Sequence, residues 1–164
     1  MTITRALTGL AMAAALATGA LATVAPAAAN AATGSQETAA TQWGPYDSPG
    51  HGARALGSLA VSGEDHAVIP AAATARISGK LHDLTKNSAC GWVVFRITYR
   101  TSGGNLPFKH HSIRNCSYGT PKPFAFTDRD VYEVEAKVCS EGKAAKPSLN
   151  CIYGGAWKIV YVSK

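Results

Sequence analysis

The chain has 164 residues, 46% of them hydrophobic and only 16% charged, with a formal net charge of +6. That length suits one domain rather than two full-sized ones, and Gly and Pro without a strict repeat exclude a collagen-like chain. Apart from Arg5, no charged residue precedes Glu37, so the rest of the chain holds 15 basic against 10 acidic residues, a net +5.

Residues 1–29 read as a secretory signal. Arg5 and the amino terminus form a short positive region, and an apolar stretch runs through Leu7, Leu10, Leu16, Leu21 and Val24. Pro26 then precedes Ala27-Ala28-Ala29, a small-residue cleavage pattern, with Ala29-Asn30-Ala31 as an alternative. Ala, Thr and Gly insert into a bilayer far less favourably than Leu or Ile, so a retained anchor is the weaker reading. The expected product is exported to an extracellular location, with no stable membrane anchor, and the Ala-rich leader suits a high-GC bacterium.

Residues 30–50 contain few large side chains and are expected to be a flexible N-terminal segment. Within it, Trp43-Gly44-Pro45-Tyr46 is the stretch that can dock on a domain, because an aromatic pair beside a turn seldom floats free. Residues 51–164 form the expected domain. Alternating strands are predicted at Arg54–Val61, Ala75–His82, Trp92–Arg100, Phe108–Cys116 and Val131–Val138. Phe124–Phe126 is a shorter strand, Asp128-Arg129-Asp130 a turn, Val68–Pro70 a short edge piece and Trp157–Val162 the closing strand. No segment keeps a helical period. About seven short strands separated by turn residues predict an all-β fold, a single antiparallel β-sandwich of immunoglobulin-like or jelly-roll-like type.

Cys90, Cys116, Cys139 and Cys151 are even in number and lack a C-x-x-C pair, which favours two disulfides over zinc in an oxidising compartment. If Gly103 and Gly104 form a hairpin tip, position 90 falls opposite 116 or 117, making Cys90 and Cys116 cross-strand neighbours. Cys139 ends one strand and Cys151 precedes the last, which pairs these two. In the chain-entropy model the closures contribute about 3.5 and 3 kcal/mol.

The same hairpin register places 92 opposite 114, 96 opposite 110 and 98 opposite 108. One face then carries Val93, Phe95, Ile97 and Ile113 as core. The other carries Trp92, Arg96, Arg100, His110, Ser112 and Arg114. These guanidiniums, with a histidine and an indole, can bind a phosphate, an acidic glycan or a nucleic-acid backbone. The competing reading is a solvated face whose Arg stems cover aromatics.

Three other functional readings are weaker. Glu133 and Glu135 share a face and, with a histidine, can form an acid–base set of the kind secreted ribonucleases use. Tyr153 and Trp157, with Trp43, Tyr46 and Tyr118, lie near loops and can stack on sugar rings, although Trp157 reads better as core. The Lys-rich loop Glu141–Asn150, tethered between Cys139 and Cys151 and stiffened by Pro147, resembles in design the presentation loops of small secreted protease inhibitors. Nucleophile-elbow, zinc-protease and phosphate-loop motifs are absent, and no cofactor or metal is implied.

Cys90-Gly91-Trp92 with the Val93–Tyr99 strand, Arg114-Asn115-Cys116-Ser117-Tyr118-Gly119-Thr120 and Val138-Cys139-Ser140-Glu141-Gly142 carry a resemblance to a group of small secreted actinomycete proteins. It covers residues 43–164. It implies secretion and the two disulfides, and no activity, substrate or catalytic residue. Together these observations predict a secreted, non-catalytic binding module for an anionic polymer, a cell-wall component or an extracellular protein. The alternatives are a small hydrolase or nuclease, or a protease inhibitor.

Overall fold

The computed structural model describes residues 39–164; the signal expected at residues 1–29 lies outside them. Seven antiparallel strands form the fold: β1 (Thr41–Asp47), β2 (Ala53–Asp65), β3 (Ala72–Asp83), β4 (Ala89–Tyr99), β5 (Phe108–Asn115), β6 (Lys122–Gly142) and β7 (Lys158–Val162). A 3-10 turn (Pro49–His51) follows β1, and one short helix, α1 (Leu149–Tyr153), precedes β7. Both disulfides, Cys90–Cys116 and Cys139–Cys151, are formed.

Hydrogen bonding runs through one continuous sheet in the order β1-β2-β3-β6-β4-β5, with β7 also on β6. The sheet folds over on itself. Four strand spacings in a flat sheet would separate β1 from β4 by roughly 19 Å, yet the Trp43 and Phe95 rings meet edge-to-face at 5.5 Å. The strand that turns the corner is β6: residues 122–131 pair with β3 and residues 131–142 with β4. Phe124–Phe126 and Val131–Val138, read from sequence as separate strands, are parts of this one element. The expected turn at Asp128–Asp130 survives as a kink, with Asp130 in the left-handed region at φ 56°. Asp is one of the few side chains that tolerates that conformation. Val68–Pro70 is loop rather than an edge piece.

Between the folded halves, Leu59, Ile77, Leu81, Val93, Phe95, Ile97, Val131 and Val134 form the core. Trp43 completes it. Of the segment 30–50 expected to be flexible, residues 30–38 lie outside the described residues. The rest differs from that expectation, because Thr41–Asp47 pairs with β2 and buries the Trp43 indole to 5% exposure. Its slot is cut by a cross-strand glycine pair, Gly57 opposite Gly79. A Cβ at either would lie within 3.0 Å of the indole, at 2.7 and 2.9 Å. The burial of a large aromatic thus offsets the ordering of an otherwise polar segment.

The β4–β5 register is the one the hairpin predicts: Trp92 faces Arg114, Arg96 faces His110 and Thr98 faces Phe108. Val93, Phe95, Ile97 and Ile113 accordingly point into the core.

Candidate functional site

Side chains on the outer face of β4 meet neighbours from both flanking strands. Arg96 lies between His110 on β5 and Glu135 on β6, and Thr98 between Phe108 and Glu133. Val94 lies between Ser112 and Lys137, and Trp92 between Arg114 and Cys139. One end of this face is covered. The Cys139–Cys151 bond brings α1 down over it, and Trp92, Val94 and both cysteines form a second small core with Trp157 at its margin. The other end is open.

At the open end Arg96 donates Nε to Glu135 Oε2 at 2.5 Å. Its guanidinium lies 4.9 Å from the Trp157 ring centre and 5.8 Å from that of Phe108. The His110 ring stacks on Trp157 at 5.7 Å and 13° and meets Phe108 at 5.5 Å. Tyr153 stands over His110 at 6.5 Å. Phe108 is 53% exposed and Tyr153 70% exposed, so one large ring faces solvent beside Arg96 and another beside His110. Arg96 uses Nε in this ion pair, and among the described residues its terminal nitrogens make no hydrogen bond, while its side chain is about one-third exposed.

Lys137 holds up the far wall. Its Nζ donates to the carbonyls of Gly154 at 2.5 Å and Ile152 at 3.2 Å, and lies 4.6 Å from the Trp157 ring centre. It thereby fixes the turn that carries Tyr153 and Trp157. Cations near ring faces are attracted by the aromatic quadrupole.

Ionisation follows from this crowding. The ion pair with Glu135 raises the Arg96 pKa. Burial, then the charges of Arg96 and Lys137, lower the pKa of His110. Burial and the neighbouring Glu135 charge raise that of Glu133, with Arg96 opposing. Burial, then Arg96, lower that of Lys137, with Glu135 opposing.

Of the residues singled out in the sequence, Arg96 and His110 come together at the open site. The other three do not join them at the open end. Trp92 is 2% exposed and lies beneath the Arg114 guanidinium, 5.6 Å from its ring centre. Arg114 donates to the carbonyl of Ala144. Arg100 leaves the face altogether. A register shift between Thr98 and Tyr99 ends the alternation that would align it with Arg96. Its side chain instead bonds the Val68 and Pro70 carbonyls, each at 3.0 Å, and Asp65 at 3.2 Å. Phe108 and Lys137 join the site although neither carries a functional signal in the sequence. Glu135, read there as half of a carboxylate pair, instead serves as the ion-pair partner of Arg96. Only the β4–β6 pairing places the two β6 residues beside this part of β4.

Among the described residues, histidine–carboxylate contacts within 4 Å occur at His51–Asp47 (3.7 Å) and His66–Glu64 (3.8 Å), both with exposed imidazoles. His110 is not among them, so the acid–base set is not assembled at this site. No cluster of three His, Cys, Asp or Glu side chains suited to a metal ion occurs among the described residues. A second cleft, of about 890 Å3, lies between the 3-10 turn and α1 and shares Lys137 with this site. Asp47 and Glu141 there oppose Lys137 and Lys158, giving it no preference of charge.

No family model matches the chain, and neither a curated protein nor a solved structure matches it.

Proposed function

We propose that the chain is an exported, non-catalytic binding module that holds an acidic glycan on the outer face of β5, β4, β6 and β7. The observation that carries this reading is the array of Phe108, His110, Tyr153 and Trp157 rings beside the partly exposed guanidinium of Arg96, which meets the Phe108 and Trp157 rings directly. Sugar rings present flat C–H faces that pack on aromatic side chains, and a guanidinium can pair with a carboxylate or phosphate carried between the rings. The expected anionic partner is retained, but stacking replaces a broad cationic patch as the source of affinity. Export is supported by the leader pattern of residues 1–29 and by two disulfides. Among the described residues, no helix is long and apolar enough to cross a membrane.

The test is retention on an immobilised polyuronate compared with a neutral β-glucan. Stronger retention on the polyuronate, lost in Tyr153→Ala/Trp157→Ala while the melting transition persists, is the expected result. With one guanidinium engaged, affinity should fall only about threefold as salt rises from about 50 to 200 mM. Unchanged retention in the double variant, or equal retention on both polymers, refutes the reading.

A further inference from the structure

The tethered loop after β6 has a geometry that the glycan face does not use. Its two stems are fixed. Cys139 and Cys151 join them covalently, and Glu141 accepts from the Ser148 backbone N–H at 3.0 Å and from its hydroxyl at 2.5 Å. Ser148 in turn caps α1 by accepting from Cys151 N–H at 3.1 Å. Between the stems, Gly142, Lys143, Ala144, Ala145 and Lys146 are all exposed.

The span is also held from inside at one carbonyl. Arg114, seated on the buried Trp92 ring, donates Nη1 to the carbonyl oxygen of Ala144. Among the described residues no hydrogen bond engages the Lys143 carbonyl. An exposed Lys, a free carbonyl and a small residue clamped immediately after it make a substrate-like peptide bond in a preorganised frame.

We infer that this loop inhibits serine proteases with an acidic primary pocket, Lys143 entering that pocket and Lys143–Ala144 being the bond presented. The protease serine oxygen would add to the Lys143 carbonyl carbon as its histidine takes the hydroxyl proton. Cleavage breaks the Lys143–Ala144 C–N bond, and the same proton passes to the Ala144 amine. That amine cannot diffuse away, because Arg114 holds its residue and the disulfide joins the two halves. It therefore re-attacks the acyl-enzyme, re-forms the peptide bond and returns the proton to the protease. Immobilised loop geometry also lowers the entropy cost of association. Lys146 is not equivalent, because the following nitrogen belongs to Pro147 and the tertiary amide does not fit the leaving-group position.

The experiment titrates trypsin with the full, oxidised chain and follows residual hydrolysis of a small chromogenic substrate. Stoichiometric, reversible inhibition is expected. Lys143→Ala should weaken it at least about 100-fold, the size of an anchor residue's loss, while Lys146→Ala leaves it within about threefold. Arg114→Gln should convert the inhibitor into a substrate, cut after Lys143, with the fragments separating only on reduction. Absence of inhibition by wild type in large excess overturns the inference, as does full inhibition by Lys143→Ala. That variant alters an exposed side chain and leaves the fold intact. Lys143 is not among the side chains that form the glycan site, so polyuronate retention of Lys143→Ala reports on that reading independently.

Discussion

The two faces of β4 differ in what they ask of their side chains. Inward, Val93, Phe95 and Ile97 need only volume and shape, and the folded sheet supplies a closed apolar space. Outward, Trp92, Val94 and Arg96 lie on a face that is dry at one end and open at the other. The dry end is created by a disulfide and a five-residue helix. The open end keeps rings and charge in contact with solvent. The same alternation therefore produces a stabilising layer on one side and a recognition surface on the other. What separates them is coverage, not polarity of the strand itself.

The contrast is broken most severely from the inner side. Trp43→Ala should cost about 3–5 kcal/mol, read as a fall in the denaturant midpoint, because the Gly57–Gly79 slot cannot collapse around a methyl group. Trp157→Ala addresses the outer side. It should lower polyuronate affinity at least about tenfold and shift the denaturant midpoint much less than Trp43→Ala. A comparable stability loss in both variants would erase the distinction between the faces.

Arg96→Met should destabilise by about 1–2 kcal/mol, since Glu135 is only 7% exposed and loses its partner. Adding Glu135→Gln should recover much of that loss without restoring polyuronate binding. A double-mutant cycle on the denaturant midpoint measures the coupling. An additive cycle would show that the ion pair contributes nothing beyond its separate side chains.

The smallest effect is on pH dependence. Burial lowers the pKa of both His110 and His111 below the ordinary value of 6.5. An unfolded histidine then takes up a proton before the folded one does. Their contribution is present above pH 6.5 and is lost as pH falls through the folded pKa. Glu133 acts in the opposite sense. Its raised pKa makes its contribution complete below pH 4.5 and lost as pH rises through the folded value. His111 stacks on Phe126 at 4.0 Å, so His111→Phe should flatten the decline in denaturant midpoint below pH 6.5. An unchanged slope would remove His111 from the account.

Strand content and the β4–β5 register were legible because alternation and a Gly-Gly tip are local signals. They also located Cys90 opposite Cys116 and put Arg96 beside His110. The site was half legible for the same reason. Its other half, Glu135 and Lys137 on β6 and Trp157 just before β7, is brought beside Arg96 from far along the chain. Arg100 shows how local reasoning fails: parity aligns it with Arg96 until one register shift redirects it to the β2–β3 loop. Arg114 fails differently, since its position is as expected and its guanidinium is taken by a carbonyl from another loop.

By itself, then, the sequence determined the strand periods, the antiparallel all-β class, the disulfide partners and one hairpin's register. Each depends on residues close in the chain or on covalent chemistry. Tertiary structure alone decided that β1 enters the core, that β6 carries the sheet around a corner, and which cations remain outward. Those outcomes depend on non-local contacts, where a neighbouring carbonyl or ring can claim a charged side chain before any ligand does. The chain's modest net positive charge accordingly describes its overall balance, and the folded surface leaves Arg96 as a guanidinium between the exposed Phe108 ring and the half-buried Trp157 ring.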